Sequence, residues 1–535
     1  MTGLAWDAIV IGAGHNGLVT AAYLAKGGLR TLVLERRERA GGIADTVELS
    51  PGARVPALLH TVGRLRPKVM RDLELKRHGL TLLAPEVRVF APSADGSAIT
   101  LWGDVAATTA GLRARSAADA DAYEAFDRRV RALGGFLADL GDETPPDIAG
   151  PGLLDALSGL RLGRAYRGLG RLDGRTILRV LPMAVADFVA EAFETDALRA
   201  AIAWRGVRFA SVGPWSGGTT ANLLTDSAGN DGGAAGETVY ARGGPGALTT
   251  ALVAAARAFG AEVRTDAEVT VVATKDGRVT GVVLAGGEEI AAASVVSAID
   301  PKRTLLDLLD PVVVGPTLRW RAGNIRQPGV VAKVNLVLAG TPRFPATGDD
   351  ERPLRGRIVV APGIEAMERA FDAAKYGRPS DSPIIEATLP SLADPALVDG
   401  APAGTQVMSV LAQYAPYRLT GASWEQQREA FGDAVMRTLE AVAPGISALV
   451  TARQVLTPPD LEREYGLGGG HLYHAEPALD AFFLWRPLLG HARYRLPVEG
   501  LYLCGSGAHP GGGITGWPGQ NAAREIMRDA KRRAP

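Results

Sequence analysis

Hydrophobic and polar positions first form a regular pattern near the start of the chain, in WDAIVIGAGHNGLVTAAYLAKGGLRTLVLE. The apolar, β-branched run at 7–11 predicts a strand, and a similar run predicts another at 31–34. Residues 18–26 have the apolar spacing of a helix, and Gly27-Gly28 is a strong signal for its end. This part of the chain is therefore predicted to form a β-α-β unit.

The same alternation of strand and helix patterns occurs in the middle of the chain and again near its end. The middle segment is predicted to contain one helix, at 247–259. Four strands are predicted after it, at 262–264, 269–274, 279–284 and 295–297. Two of these strands are joined by Asp276-Gly277, which is typical of a tight hairpin. A short strand at 501–503 leads through CGSGAHPGGGITGWPGQNAA into a basic helix.

The segments between these units have other patterns. Residues 87–102 predict a hairpin around Asp95-Gly96, residues 104–210 are mainly helical in spacing, and residues 320–490 contain longer strands and a helix at 424–443. We therefore expect an α/β protein whose Rossmann-like dinucleotide-binding domain carries an inserted α+β substrate domain. The nucleotide-binding domain is assigned to 1–85, 235–310 and 491–535, and the substrate-binding domain to 86–234 and 311–490.

Composition and charge narrow the functional classes. The 535 residues include 58 Lys and Arg against 58 Asp and Glu, so net charge gives no support to nucleic-acid binding. The single cysteine, Cys504, excludes a disulfide within the chain and a cysteine-rich metal site. No targeting signal and no apolar run of membrane-spanning length is evident, so we expect a cytoplasmic protein.

The first turn of the β-α-β unit carries the motif Gly12-x-Gly14-x-x-Gly17. Gly12 permits the tight turn, Gly14 lets the backbone approach a pyrophosphate, and Gly17 lets the helix pack against the strand. Glu35 ends the second strand, where its carboxylate can accept hydrogen bonds from a ribose and would repel a 2′-phosphate. The motif recurs at Gly511-x-Gly513-x-x-Gly516, but there no acidic strand end follows.

Gly41-Gly42, six residues after Glu35, resembles a second diagnostic segment of FAD-binding oxidoreductases of the glutathione-reductase-like superfamily. In that superfamily the pair passes close to the pyrophosphate and the flavin. The chain has no complete second fingerprint in its middle and no CxxxxC pair, which argues against a disulfide reductase with its own NADPH domain. FAD is therefore the expected cofactor.

Several further segments resemble the FAD-dependent phytoene desaturase-like oxidoreductases, in the branch of pyridine nucleotide-disulfide oxidoreductase domain-containing protein 2. They are IVIGAGHNGLVTAAYLAKGG, VLERRERAGG, ARGGPGALTTALVAAARAFGAEVRTDAEV, VVSAIDPKRTLLDLL, GGGHLYHAEPALDAFFLWRP and GLYLCGSGAHPGGGITGWPGQNAA. The resemblance covers nearly the whole chain, and the last segment is its most specific part. Trp517, where a small residue is expected, and His60 depart from the family pattern, and these departures concern the substrate rather than the cofactor.

The resemblance implies a flavin at the junction of the two domains. Val269 would contact the adenine, Ala298 would lie near the flavin cavity, and Gly505 and Ser506 would meet the pyrophosphate and ribityl chain. Gly513, Ile514 and Thr515 would border the flavin ring. Together with the fingerprint and the residues beside Glu35 and Gly41, the expected cofactor-binding set is Gly12, Ala13, Gly14, His15, Asn16, Gly17, Glu35, Arg36, Gly41, Gly42, Ile43, Val269, Ala298, Gly505, Ser506, Gly513, Ile514 and Thr515.

No acid, base or nucleophile stands out as catalytic, which fits flavin oxidation because the cofactor performs the chemistry. The weak candidates for a role in catalysis are His60, His474, His509 and Trp517. No carboxylate motif accompanies the histidines, so no metal site is expected.

These observations predict an FAD-dependent oxidoreductase that transfers a hydride between flavin N5 and a largely apolar small molecule, isoprenoid, carotenoid-like or lipid. It would act as a desaturase, dehydrogenase or isomerase. Flavin amine oxidation is the alternative reaction, and a non-catalytic protein resembling the GDP-dissociation inhibitors is the alternative class. Residues 152–180 hold six arginines among leucines. They form either a solvated helical face or a surface for peripheral contact with anionic lipid. The oligomeric state is left open.

Overall fold

A computed structural model describes residues 6–148 and 150–533, without the side chain of Leu154. The outermost ends of the predicted nucleotide-binding domain, 1–5 and 534–535, lie outside the described residues.

The described residues form nineteen strands. The strands are β1 (Ala8–Ile11), β2 (Thr31–Leu34), β3 (Thr46–Ser50), β4 (Ala53–Pro56), β5 (Leu82–Leu83), β6 (Val87–Pro92), β7 (Ala98–Trp102), β8 (Tyr240–Ala241), β9 (Glu262–Arg264), β10 (Val269–Lys275), β11 (Arg278–Leu284), β12 (Glu289–Ala291), β13 (Val295–Ser297), β14 (Val331–Leu338), β15 (Arg357–Val360), β16 (Ile384–Thr388), β17 (Gln406–Gln413), β18 (Val450–Leu456) and β19 (Leu501–Leu503).

The α-helices of the described residues also number nineteen. They are α1 (His15–Lys26), α2 (Pro67–Asp72), α3 (Val105–Arg113), α4 (Ala117–Asp142), α5 (Leu153–Gly168), α6 (Gly170–Val180), α7 (Val185–Ala190), α8 (Asp196–Val207), α9 (Thr219–Asp226), α10 (Pro245–Ala258), α11 (Pro301–Leu306), α12 (Pro311–Val314), α13 (Pro316–Gly323), α14 (Ile364–Lys375), α15 (Pro390–Ala393), α16 (Trp424–Glu440), α17 (Ile446–Leu449), α18 (Pro458–Tyr465) and α19 (Trp517–Arg533).

A five-stranded parallel sheet joins the start, middle and end of the chain. Its strand order is β19-β13-β1-β2-β9, and Ile9 pairs with Val295 on one side and Leu32 on the other. Strands β1, β2, β13 and β19 are wholly buried, as apolar parallel strands are when helices cover both faces. Helix α1 packs against both α10 and α19, so three distant segments share one core.

A second sheet has seven strands in the order β18-β14-β17-β16-β15-β6-β7 and is mainly antiparallel. One face of its central strands packs with α16 on an apolar core that includes Val334, Val410 and Ala387. Residues of the opposite face alternate with these along the strands. That opposite face carries Lys333 and Glu386, both fully buried.

The predicted elements of the nucleotide-binding part are confirmed. The β-α-β unit, the strands at 262–264, 295–297 and 501–503 and the hairpin around Asp276-Gly277 all form, and six helices occupy the region 104–210. Helix α1 begins at His15 rather than at residue 18, because the fingerprint glycines already belong to the helix start.

The exact domain bounds stay a prediction. Within the described part of the chain, no helix combines the length and apolar character needed to span a bilayer.

Candidate functional site

A cleft lies at the carboxyl ends of β1, β2 and β13, where open parallel sheets commonly bind nucleotides. We call it the nucleotide cleft; it encloses about 880 Å³ of empty space, its mouth included. Of the predicted cofactor-binding residues, it is lined by Gly12, Gly14, His15, Asn16, Gly17, Glu35, Arg36, Gly42, Ile43, Val269, Ala298 and Ser506. The structure thus brings together residues from both ends and the middle of the chain.

The three fingerprint glycines have the geometry that the motif requires. Gly12 has a φ of +94°, which favours glycine, and a Cβ on Gly17 would lie 2.1 Å from the Gly12 carbonyl oxygen. A Cβ on Gly14 would meet no atom within 4 Å, so this residue faces open space. Gly14 is also the N-cap of α1 without a side-chain cap, which leaves helix N–H groups for an anionic ligand.

Glu35 fixes the loop between β1 and α1. Its Oε2 accepts a hydrogen bond from the Ala13 N–H at 2.8 Å, and its Oε1 accepts one from the Arg37 N–H at 3.0 Å. Each carboxylate oxygen has two acceptor sites, so capacity remains for ribose hydroxyls. Gly41 donates its N–H to the Ala13 carbonyl at 3.0 Å, so the Gly41-Gly42 pair runs directly beside the fingerprint. These features fit the ribose and pyrophosphate of FAD.

The C-terminal glycine-rich loop meets the start of α1. The Nδ2 of Asn16 donates to the Ser506 Oγ at 3.2 Å, and the Nε2 of His15 lies 3.0 Å from the Gly513 carbonyl oxygen. Burial lowers the pKa of His15 to about 4, so its ring is neutral at physiological pH. The loop therefore closes the cleft from the far end of the sequence.

The expected cofactor residues that do not line the nucleotide cleft include Gly505, Gly513, Ile514 and Thr515. Gly505 packs on Ala298, whose carbonyl oxygen would lie 2.5 Å from a Cβ at Gly505. Gly513 and Ile514 border a separate cavity, while the Thr515 Oγ1 accepts the N–H of Trp517 at the start of α19. Which of these residues contact the cofactor stays a prediction.

Sequence reasoning missed several residues that line the cleft: Arg37, Ala267, Glu268, Arg303, Tyr465, Gly466 and Leu467. Arg37 lies over the ring of Tyr465, 4.7 Å from its centroid. Tyr465 ends α18, and no local motif marks α18 as part of a nucleotide site. The available signals were the proximity of Ala267 and Glu268 to Val269 and of Arg37 to Arg36 along the chain.

Two further cavities lie beyond the C-terminal loop, and the volumes given for them include their open mouths. The Arg486 cavity encloses about 590 Å³ and is bordered by Arg64, Arg205, Arg208, Ala221, Asn222, Thr225, Asp226, Tyr473, Pro477, Ala478, Leu479, Ala481, Phe482, Arg486, Pro510, Gly511 and Gly512. The Glu386 cavity encloses about 480 Å³ and is bordered by Leu59, His60, Thr61, Gly63, Arg64, Arg208, Phe209, Asp226, Asn230, Glu237, Arg357, Glu386, Leu411, Tyr473, Gly513 and Ile514. Arg64, Arg208, Asp226 and Tyr473 belong to both.

Of the four weak catalytic candidates, His60 lines the Glu386 cavity and His474 lines the nucleotide cleft. The Nε2 of His60 lies 3.1 Å from the Glu386 Oε1, and its Nδ1 lies 3.2 Å from the Ser409 Oγ. Burial lowers the pKa of His60 and of His474 to about 4, so both rings are neutral at physiological pH.

His509 and Trp517 have packing partners and border none of the cavities described. The His509 ring is buried with its Nε2 3.3 Å from the Leu140 carbonyl oxygen. The Trp517 indole donates to the Asp142 carboxylate, and the Arg66 guanidinium lies 4.1 Å from its ring centroid. These contacts tie α19 to α4. The roles proposed for both residues in catalysis or substrate choice stay predictions.

A network of buried charges borders the Glu386 cavity. Glu386 accepts hydrogen bonds from Arg208, from Arg357 and from the indole of Trp204, each at 3.1 Å. These guanidinium groups hold the pKa of Glu386 well below its usual range despite burial. Lys333 hydrogen-bonds to Ser409 on the next strand, and its burial lowers the Lys333 pKa well below the usual range.

This network was not predicted, although a signal was present. Lys333 in VVAKVNLVL and Glu386 in PIIEATL are charged residues within otherwise apolar strand patterns. A charge in such a run is buried only when it has partners. The partners come from segments far apart in the sequence, so the sequence could not identify them.

Comparisons with known proteins match this architecture. Residues 125–527 match the family described as flavin containing amine oxidoreductase, and residues 10–73 match an NAD(P)-binding Rossmann-like domain. The chain is 37% identical to pyridine nucleotide-disulfide oxidoreductase domain-containing protein 2 of Rattus norvegicus, covering 98% of this chain and 94% of that protein.

Two more distant proteins share its whole length. The chain is 25% identical to phytoene desaturase (neurosporene-forming) of Rhodobacter capsulatus, covering 95% of this chain and 91% of that protein. The solved structure of putrescine oxidase, wild type bound to putrescine, has a TM-score of 0.63 at 16% identity and covers 99% of each chain. At that identity the likeness shows the fold alone.

Proposed function

Because this chain is an FAD-dependent oxidoreductase of the flavin-containing amine oxidoreductase family, in the branch of pyridine nucleotide-disulfide oxidoreductase domain-containing protein 2, we propose that it transfers a hydride between a largely apolar small molecule and flavin N5. The reaction class is dehydrogenation, saturation or isomerisation of an isoprenoid-like or lipid substrate. FAD supplies the hydride-accepting chemistry when bound.

One observation carries this proposal: the nucleotide cleft and the Arg486 cavity lie against the same C-terminal loop. Ser506 lines the cleft, whereas Gly511 and Gly512 of that loop line the cavity. A wall of the cavity is apolar, with Leu479 and Phe482 among its residues. An apolar substrate in this cavity would therefore lie one loop away from a dinucleotide in the cleft.

The chain's own groups would hold and orient the reactants. Glu35 and the N-terminus of α1 would bind the ribose and pyrophosphate, and the domain predicted at 86–234 and 311–490 would supply most of the substrate wall. Both ring nitrogens of His60 already face Glu386 and Ser409, whereas the Nδ1 of the neutral His474 ring has no hydrogen-bond partner and can exchange one hydrogen bond without introducing a charge.

Amine oxidation is the alternative reaction. Five arginines border the Arg486 and Glu386 cavities, namely Arg64, Arg205, Arg208, Arg357 and Arg486. Guanidinium groups at this density repel a cationic amine substrate, which weighs in favour of the main proposal.

Anaerobic reduction of the bound flavin tests the proposal. The holoprotein is mixed with isoprenoids, fatty acyl compounds and amines in turn, and the visible flavin absorbance is followed. We expect bleaching by members of the first two classes. Bleaching by amines alone would overturn the proposal in favour of amine oxidation.

We further propose peripheral membrane contact through α5 and α6. Leu153, Leu160 and Leu172 are 87%, 72% and 70% exposed, an unusual degree for leucine. Exposed arginines accompany them on both helices, and Arg164 and Arg171 have no ion-pair partner among the described residues. Apolar and basic side chains on one surface suit an anionic bilayer.

Co-sedimentation with vesicles tests this contact. We expect binding to vesicles that contain phosphatidylglycerol, little binding to pure phosphatidylcholine, and loss of binding in the double variant Arg164→Glu/Arg171→Glu. Arg352→Glu, which changes an exposed arginine far from α5 in sequence, is the control. Equal sedimentation of the double variant and the control would refute the contact.

A further inference from the structure

Arg486 is a buried cation without a buried anion. The residue is 3% exposed, and its guanidinium donates only to backbone carbonyl oxygens: Ser506 at 2.8 Å, Glu476 and Tyr473 at 3.3 Å, and Ala475 at 3.4 Å. Among the described residues, no carboxylate forms an ion pair with it. Its buried Nε has no hydrogen-bond partner. Burial lowers the pKa of Arg486 to about 10, and the group is still charged at neutral pH.

Such an arrangement is costly, since a buried charge is normally paired or solvated. Every other deeply buried arginine on the cavity walls has a carboxylate. Arg205 donates to Asp226 at 2.8 Å, and Arg357 donates to Glu386 at 3.1 Å. Arg486 alone among these lacks one, and it borders the Arg486 cavity.

Arg64 is the second guanidinium in the Arg486 cavity that is not hydrogen-bonded to a carboxylate. It donates to the carbonyl oxygens of Gly512 and Thr225, and its buried Nε has no hydrogen-bond partner. The nearest carboxylate, Asp226, lies 3.6 Å away and already accepts from two other arginines. The Gly511-Gly512 backbone lies close to both Arg64 and Arg486.

The charges on the cavity walls are unbalanced. Five guanidinium groups border the Arg486 and Glu386 cavities against three carboxyl groups, Asp226, Glu237 and Glu386. Burial raises the pKa of Glu237 to about 7, so this carboxyl group is only partly ionised at neutral pH. The excess positive charge is therefore at least two, and four of the five guanidinium groups border the same cavity as Leu479 and Phe482.

We propose that the Arg486 cavity binds the substrate as an amphipathic carboxylate, with its anionic head on Arg486 and Arg64 and its apolar chain along Leu479 and Phe482. The inference rests on the proposed function, and it deepens that function by naming the substrate class. A guanidinium fork matches a carboxylate in geometry, and pairing would supply the anion that Arg486 lacks. Arg486 would thus determine specificity, while the hydride leaves from the chain.

Ligand binding to the holoprotein, without turnover, tests this inference. Decanoate, decanol and decylamine have similar alkyl chains and differ in the head group. Their affinities are measured by thermal shift and by perturbation of the flavin spectrum. We expect decanoate to bind about tenfold or more tightly than decanol, as a charge-assisted hydrogen bond implies. Decylamine should bind least.

The variant Arg486→Met should lose about tenfold or more in decanoate affinity while decanol affinity changes little. Arg486→Lys should recover part of the loss, since it restores the charge without the fork. Arg352→Met, at an exposed arginine outside the cavities, is the matched control and should bind decanoate like the parent protein.

Equal affinity for decanoate and decanol, tighter binding of decylamine, or unchanged decanoate binding in Arg486→Met would each overturn the inference. The Arg486 guanidinium also donates to the Ser506 carbonyl, so Arg486→Met could lose FAD. In that case decanoate affinity is measured in Arg64→Met instead. Unchanged decanoate affinity in Arg64→Met would overturn the inference. A failure of these binding tests leaves flavin reduction by apolar compounds intact, so it is distinguishable from a failure of the proposed function.

Discussion

At the scale of single residues, the interior of this protein depends on buried charges that compensate one another. Glu386 is fully buried and hydrogen-bonded to two arginines and one tryptophan, and it lies 3.1 Å from the ring of His60. Removing one member of such a network leaves the others buried without a counter-charge. That effect costs more than the pair itself contributes to stability.

Glu386→Gln should therefore destabilise the protein by about 3–5 kcal/mol, because Arg208 and Arg357 lose a shared anion. The free energy of unfolding from denaturant titration of the holoprotein measures it. Asp350→Asn breaks an exposed pair with Arg352 and should cost about 1 kcal/mol or less. Equal losses in the two variants would show that burial of the network is not what makes Glu386 important.

Residues whose role arises within one β-α-β unit could be predicted from the sequence. Residues whose role depends on a partner distant in sequence could not. Gly12, Gly14 and Gly17 could be identified because a turn, an open approach and a helix contact all arise within one β-α-β unit. His60 and Glu386 meet across 326 positions of sequence, and although Glu386 stands out as a charge in an apolar strand, its own segment does not identify its partners. His60 was a candidate residue, but its pairing with Glu386 could not be predicted.

At the scale of elements, the terminal helix α19 packs against α4 through a glycine. A Cβ on Gly141 would lie 2.7 Å from the Trp517 ring, and the Gly141 carbonyl accepts a hydrogen bond from Asn521 at 2.8 Å. Trp517 therefore needs a residue without a side chain on the opposing helix. The sequence predicted both helices, but their close contact depends on a pairing 376 positions apart.

Gly141→Ala should destabilise the protein by about 1–3 kcal/mol, because the added methyl group overpacks the α4–α19 contact. Gly135→Ala, in the same helix, is the matched variant: its Cβ would meet no atom within 4 Å. The second substitution should stabilise by up to about 1 kcal/mol, since alanine is the better helix former. Thermal unfolding distinguishes the two, and the same sign for both variants would refute the packing argument.

At the scale of the whole molecule, five buried histidines make stability depend on pH. Burial lowers the pKa of His15, His60 and His474 to about 4 and that of His471 and His509 to about 3. Each ring is neutral in the native state, whereas in the unfolded chain it takes up a proton near its ordinary pKa. The unfolded state thus binds more protons as the pH falls from about 6.5 towards 4.

Stability should therefore be full above about pH 7 and fall steeply between pH 6 and 4, by about 1.4 kcal/mol per pH unit for each histidine. Asp139, Glu237, Asp300 and Glu368, whose carboxyl pKa values are raised, oppose part of this trend. The slope of the unfolding free energy against pH gives the number of protons taken up on unfolding. His509→Asn should lower that count by about one, and His78→Asn serves as control. A flat profile from pH 7 to 4 would contradict the assignment.

The whole molecule also explains why the glycine-rich C-terminal loop is needed. Fold class and cofactor could be predicted because both ends of the chain carry a glycine motif beside a parallel strand. The sequence could not show that Ser506 and Asn16 would be hydrogen-bonded across 490 positions, since only the assembled sheet brings them together. The central claim is that this composite cleft binds FAD.

Titration of the apoprotein with FAD, followed by flavin fluorescence, tests that claim most directly. Gly14→Val adds a side chain that points into open space within the cleft, so the fold should persist while the pyrophosphate position is blocked. Gly135→Val, also facing open space but in α4, is the control. We predict one FAD per chain in the parent and the control and none in Gly14→Val. Equal FAD binding by all three proteins, or none by the parent, would contradict the account.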